Sequence, residues 1–271
     1  MDLHVILRTC SGSSVHFSEK LRFIPVPKTE LILHCLKSLA LSLSRAQRKH
    51  LLEIRLTVVD DHSQVNCIDG IKNILGACPF KTEFIHLAET GNNASMKFCY
   101  GLGRDSTAEL LYLVEDDYLH TLSCIDEMVE SFRHFKEKLP NEEVALMPVD
   151  NMFHYFDDTM FSSPIVMGPT RHWRVNYYSN WTMLLPQKSI TTHWNVWEAF
   201  SGYELSKPET HEDSLLVPLF RKHIRLFTPV PTLALHVAGA RYESPFSNWQ
   251  KIWRDVENEW LEYRRCGDGN G

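Results

Sequence analysis

No run of lysines and arginines long enough to track a nucleic-acid backbone occurs in these 271 residues, and 28 basic against 34 acidic side chains leave a net charge of −6. Nucleic acid is therefore not an expected partner. No CxxC pair is present, and the seven cysteines (Cys10, Cys35, Cys67, Cys78, Cys99, Cys124 and Cys266) are odd in number and scattered, several within apolar segments. They read as reduced thiols, not as a disulfide framework or a zinc site. No apolar stretch reaches the ~18 residues that a membrane span needs. Nor does a signal peptide open the chain, since Met1-Asp2-Leu3-His4 runs straight into a strand-like segment. A soluble, cytoplasmic protein with no transmembrane segment is expected. Internal repeats, low-complexity tracts and a clear linker are also missing, while 44% hydrophobic residues suffice for one large α/β core, or at most two.

What the chain does have is Leu110-Leu111-Tyr112-Leu113-Val114 followed at once by Glu115-Asp116-Asp117. The apolar run has the length of a strand buried on both faces, so the acids stand where that strand leaves its sheet. In an open α/β sheet that edge is where ligands bind. Three adjacent carboxylates repel one another, and one holds a proton unless a cation neutralises them. Oxygen ligands favour a hard divalent ion, Mg²⁺ or Mn²⁺. The same triplet also fits an acidic turn capping the next helix.

Around this stretch the pattern alternates. Residues 3–9 read as a strand ending in Arg8 and Thr9, followed by the polar turn Cys10-Ser11-Gly12-Ser13-Ser14; residues 15–28, with Pro25 and Pro27, read as an extended loop. Apolar residues at helical spacing from Leu31 to Leu43 predict a helix with Thr29 as its N-cap. Strands over 54–59 and 84–87 and helices over 64–75 and 93–103 complete the alternation up to the strand at 110. Such alternation predicts a mostly parallel sheet flanked by helices, with Asp60-Asp61 and Glu115-Asp116-Asp117 on one edge.

Beyond 120 the pattern predicts a helix over 122–139, strands over 144–147 and 181–185, a helix over 189–199, strand-like pieces at 225–229 and 233–237, and a charged amphipathic helix over 249–264. Between Asn151 and Trp181 the composition turns aromatic and polar with little period, which suits either an acceptor-binding surface or plain core filling. Glu212-Asp213 opens another apolar helix. The pair either complements the helix dipole or presents a general base to a cleft. His236, ending an apolar run, is a satisfied core histidine or, beside a metal, a ligand.

The order of these pieces resembles the GT-A class of nucleotide-sugar glycosyltransferases, family 2 and its relatives, over roughly residues 3–240. The matching motifs are Arg8-Thr9, Val58-Val59-Asp60-Asp61-His62-Ser63 (similar to VVDDGS), the helix start at Gly91-Asn92-Asn93, the DxD-like Glu115-Asp116-Asp117 and the ED pair Glu212-Asp213. The form Glu-Asp-Asp is also similar to the metal motif of N-acetylglucosaminyltransferase I. His62 stands where the family commonly has glycine.

The resemblance implies a GT-A fold with a Rossmann-like sheet. Its nucleotide-binding half would span 1–120 and its acceptor-binding half 121–240, with a C-terminal helical extension over 241–271. It implies a nucleotide-sugar donor, UDP-linked, and transfer to a carbohydrate or other hydroxyl acceptor, with inversion. Arg8, Thr9, Asp60, Asp61, Glu115 and Asp116 would contact the nucleotide sugar, Asp117 and His236 would hold Mn²⁺ or Mg²⁺, and Asp213 would be the catalytic base. Trp181, Tyr178 and Glu212 are assigned to the acceptor. A retaining glycosyltransferase, a sugar-phosphate nucleotidyltransferase and a non-catalytic carbohydrate-binding module remain the alternatives.

Overall fold

The structure is a computed structural model that describes residues 1–12, 22–156, 163–179, 181–238 and 243–268. Ser13 and Ser14 of the polar turn, and Gly239 and Arg241 after the last strand, lie outside the described residues. Strand β1 (Asp2–Thr9) sits inside a nine-stranded sheet of order β3-β2-β1-β4-β9-β6-β10-β8-β7. It pairs in parallel with β2 (Glu53–Asp60) on one side and with β4 (Leu110–Glu115) on the other, and β3 (Lys81–His86) extends the parallel run beyond β2. The chain steps outward from β1 to β3 and returns to lay β4 on the other side of β1. The direction of winding therefore reverses between β1 and β4, and in an open α/β sheet the carboxyl ends of the strands at such a point are where ligands bind.

The second half continues the sheet with mixed polarity. Strand β9 (Met183–Pro186) runs antiparallel to both β4 and β6 (Glu143–Leu146), and β10 (Ile224–Val230) runs parallel to β6. Two further strands, β8 (His172–Asn176) and β7 (Ile165–Met167), finish that edge within the stretch where sequence period had failed. The reason is burial. Four of the five β8 residues are buried, Arg174 and Asn176 among them, so no polar alternation marks the strand. Arg174 places its guanidinium 4.8 Å from the centre of the Tyr155 ring, and the Asn176 side chain bonds the Tyr178 backbone.

Helix α1 (Lys28–His50) is buried nearly all round because it meets α2 (Val65–Gly76), α4 (Cys124–Lys138) and α8 (Trp249–Asp268). Its serines dock neighbours: Ser38 Oγ accepts the His120 N–H at 2.9 Å, and Ser42 Oγ accepts the Ile125 N–H at 2.9 Å. The expected cap was Thr29, but the cap is Pro27, two residues earlier, which is extended at ψ 145° and gives its carbonyl to the Leu31 N–H. A second helical group consists of α3 (Asn92–Arg104), α5 (Gln187–Thr192), α6 (Trp194–Ser201) and α7 (Glu212–Lys222). The single helix expected over 189–199 is thus two, broken at His193.

A two-stranded ribbon pairs β5 (Tyr118–His120) with β11 (Ala234–His236). Strand β11 falls within the strand-like piece expected over 233–237, whereas the three-residue β5 was not expected. No helix of the described residues is long and apolar enough to cross a membrane. Cys10, Cys35, Cys67, Cys78, Cys99 and Cys124 carry free thiols.

Candidate active site

Register alone brings the first groups together. In the parallel ladders Arg8 stands opposite Glu115 and Thr9 opposite Asp60, all at the carboxyl ends of their strands. The Arg8 guanidinium meets Glu115 Oε1 at 2.5 Å and Asn92 Oδ1 at 2.6 Å, and it lies 5.2 Å from the centre of the Trp181 ring. Asp116 Oδ2 accepts the Cys10 N–H at 2.8 Å, while Oδ1 is engaged by Lys28 Nζ. Asp117 faces His236 at 3.6 Å, because the β5–β11 ribbon stacks the His236 ring on Tyr118 (4.7 Å, 11°) and the Val237 N–H bonds the Asp117 carbonyl at 2.8 Å.

Each acid of the triplet thus meets a different basic side chain, supplied from a different element. Burial pushes Glu115 and Asp116 above the usual carboxylate range against the pull of Arg8 and Lys28. Burial is the largest influence on Asp117 as well, but the His236 imidazole, with the charges of Lys28 and Arg22, together outweighs it and holds Asp117 well below that range. Burial would lower His236, yet Asp117 raises it.

Carboxylate oxygens of Glu115 and Asp117 and a ring nitrogen of His236 lie within 4.8 Å of one another, the one such grouping of three among the described residues. Asp117 Oδ1 is buried and has no hydrogen-bond partner. Two carboxylates, an imidazole and an unsatisfied oxygen fit a divalent ion.

The acids at the end of β2 are differently employed. Asp60 is fully buried and accepts from Thr9 Oγ1 (2.9 Å) and the Ser63 N–H (3.0 Å), with His86 at 3.3 Å, so it ties β1, β2 and the next turn together. Asp61 accepts the Gly91 N–H at 3.0 Å and contacts His62 at 3.2 Å. His62 adopts a left-handed backbone (φ 57°), and its ring lies 4.8 Å from that of His86.

Helix α7 separates its two acids. Asp213 is exposed and makes no hydrogen bond or ion pair with the described residues. Glu212 is half-buried, its Oε1 accepts the Ser179 N–H at 2.5 Å, and burial, eased by that bond and reinforced by Asp213, raises it to about 7. The Ser179 hydroxyl accepts the N–H of Trp181, another left-handed residue (φ 65°). The Tyr178 backbone N–H and carbonyl bond the Asn176 side chain, and Tyr178 has no described contact with the acids. Tyr100, from α3, completes this side: its hydroxyl is buried without a partner, and the charges of Arg8, Glu115 and Glu212 all bear on it.

Of the residues singled out in the sequence, Arg8, Thr9, Asp60, Asp61, the acidic triplet and His236 share one edge, and Trp181 lies beneath Arg8. Lys28, Arg22 and Tyr100 were missed. Lys28 and Arg22 fall in or beside a proline-marked loop with no motif, and Tyr100 occupies an ordinary apolar position of α3; no local signal marks any of them.

No protein-family model and no curated protein matches the chain. Among solved structures it is similar to S. aureus TarS, with a TM-score of 0.48 and 13% identity over 84% of this chain, and it spans 36% of the TarS chain. It is similar to the mannosyltransferase PcManGT from Pyrobaculum calidifontis in complex with GDP-Man and Mn²⁺, with a TM-score of 0.46 and 12% identity over 99% of this chain and 64% of the other. It is also similar to the galactosyltransferase LgtC in complex with donor and acceptor sugar analogs, with a TM-score of 0.44 and 10% identity over 83% and 73% of the two chains. Likenesses at this level carry no inference about residues or activity.

Proposed function

We propose that this protein is a GT-A-type, family 2-like glycosyltransferase that moves a sugar from a nucleotide-diphosphate sugar, UDP-linked, to a hydroxyl of a carbohydrate or other acceptor. The observation that carries the reading is the meeting of Glu115, Asp117 and His236 beside Arg8, at the point where the sheet's winding reverses. Asp117 and His236 would hold Mn²⁺ or Mg²⁺, with Glu115 at the third corner. Such an ion supplies a Lewis acid for the negative charge that grows on the leaving phosphate.

The chain's own residues do the rest. Arg8 and Thr9 border the nucleotide, Asp61 receives the base with Asp60 fixing the turn behind it, and Asp116 faces the ribose or sugar. Trp181, Tyr178 and Glu212 line the acceptor side. In the transfer, the acceptor oxygen forms a bond to the anomeric carbon as the bond from that carbon to the phosphate oxygen breaks, and the acceptor proton passes to Asp213. Attack from the face opposite the leaving group inverts the anomeric configuration. A correctly placed base contributes about 10²–10⁴-fold.

The test is thermal stability with Mn²⁺ against UDP, GDP, dTDP and CMP. One diphosphate is expected to stabilise the wild type, by about 2.7 kcal/mol at 100 times its Kd, and Asp117→Asn is expected to abolish the metal-dependent part of that gain. The absence of a shift with every nucleotide refutes the reading and favours a metal-indifferent carbohydrate-binding module.

A further inference from the structure

Strands β6 and β10 begin side by side, with Ile224 opposite Glu143 in the parallel ladder, and both run in the same direction as β4. Their amino ends therefore lie at the edge of the sheet opposite to the one that carries Arg8 and Glu115. A cavity of about 750 Å³ opens there, within the usual size of a small-molecule site. It shares no lining residue with the acid cluster.

Register makes its floor apolar. Phe227 stands opposite Val175 and Val166 opposite Trp173 in antiparallel ladders, and 173 and 175 are two residues apart, so Val166, Val175 and Phe227 present one face of the sheet. Phe135 of α4 stacks on Phe227 on that face (4.4 Å, 17°). Met167, at the outer lip on β7, is 63% exposed. The other lip has a fixed shape, because Lys136 Nζ donates to the carbonyls of Pro140 (3.3 Å) and Glu142 (2.6 Å) beyond the end of α4.

The rim is basic. Lys138, Arg221, Lys222 and Arg225 line it against Glu142 and Glu143, an excess of 4 − 2 = 2 positive charges on a chain whose net charge is −6. Both acids are already answered: Glu142 meets Arg225 at 2.5 Å, and Glu143 accepts from Ser189 Oγ at 2.7 Å with His193 at 3.7 Å. Two cations are left uncommitted. The Lys222 ammonium makes no ion pair or hydrogen bond with the described residues, and the Arg221 guanidinium lies over the Tyr177 ring at 5.2 Å with no carboxylate partner among them. An apolar floor gives nothing for a sugar's hydroxyls to bond, while a rim with spare positive charge favours an anion.

We propose that this cavity is a second ligand site, taking a small amphipathic anion. Its aliphatic or aromatic body would lie on Val166, Val175 and Phe227, and its carboxylate or phosphate would be held by Arg221 and Lys222. The assignment does not depend on the nucleotide-sugar reading of the acid cluster.

The experiment is calorimetric titration of the wild type with octyl phosphate and octanoate, below the concentrations at which they form micelles, beside inorganic phosphate, octyl glucoside and octylammonium. One-to-one binding of at least one amphipathic anion is expected, with a Kd of about 1 mM or tighter, whereas the three controls bind at least about tenfold more weakly. The double variant Arg221→Gln/Lys222→Gln breaks no ion pair and is expected to weaken binding about tenfold or more. Met167→Glu, at an exposed position on a different element, should weaken it by setting a like charge at the lip. Thermal unfolding of both variants at the wild-type midpoint shows that the losses are local. Excess UDP with Mn²⁺ is expected to leave the affinity unchanged. Absence of binding, equal binding of octyl glucoside, affinity untouched by the double variant, or displacement by UDP with Mn²⁺ each overturns the site. Binding to phosphatidic acid vesicles without binding to the soluble anions also overturns it, in favour of a membrane-facing basic surface.

Discussion

Glu212 offers a stability measurement whose sign and size follow from its surroundings. Burial against the Ser179 turn raises its carboxyl from the usual 4.5 to about 7. Between those values the unfolded chain has released the proton and the folded chain still holds it. The folded state therefore binds more protons, and stability falls as the pH rises. The contribution is fully present below pH 4.5 and fully lost above pH 7. At 1.36 kcal/mol per pH unit the whole loss is about 3 kcal/mol, of which about 2.5 falls between pH 5 and pH 8. Glu212→Gln keeps an oxygen for the Ser179 N–H and removes the ionisation. Urea unfolding at pH 5 and pH 8 should show the wild type losing about 2.5 kcal/mol more over that interval than the variant. Parallel pH dependence in the two proteins refutes the argument, and with it the placement of Glu212 in a desolvated pocket.

Two backbone sites give predictions independent of function. Leu51 ends α1 in a left-handed conformation (φ 53°) with its side chain 87% exposed, so Leu51→Gly relieves strain without opening a cavity and should raise the urea midpoint by the equivalent of about 0.5–1 kcal/mol. Gly91 precedes α3 at φ 110°, where an added Cβ would meet nothing within 4 Å; Gly91→Ala should cost about 1–3 kcal/mol through the backbone alone, and an unchanged midpoint would show that the turn relaxes.

The first half of the fold was legible because its strands are covered on both faces and its helices carry a clean apolar period. Val5, Ile6, Leu56, Val58 and Leu110 to Val114 are all buried, so the chain had to write them as unbroken apolar runs. The parallel register then put Arg8, Thr9, Asp60 and the triplet on one edge, as the alternation had implied. The second half hid itself where polar groups go inside, as at Arg174 and Asn176 on β8, and where a strand is too short to show a period, as at β5. His236 is the instructive case. Its run of apolar neighbours suited a core histidine equally well, and only the pairing of Tyr118 with His236 carries it across the sequence to Asp117.

The same geometry bears on the oldest ambiguity in the chain, whether Glu115-Asp116-Asp117 is a site or an acidic cap. A cap leaves its carboxylates in water near a helix N-terminus, and it needs no partners from elsewhere in the fold. Here α4 begins only at Cys124, and the acids are drawn under cover with cations brought from β1, from the start of α1 and from β11. Burying three ion pairs gives little net stability, because the desolvation of each charge offsets most of the attraction. Apolar residues in these positions would hold β4 to its neighbours at least as well. An arrangement that costs desolvation on both signs of charge, leaves Asp117 Oδ1 without a partner, and stands where the sheet's winding reverses suits an ionic ligand better than a cap.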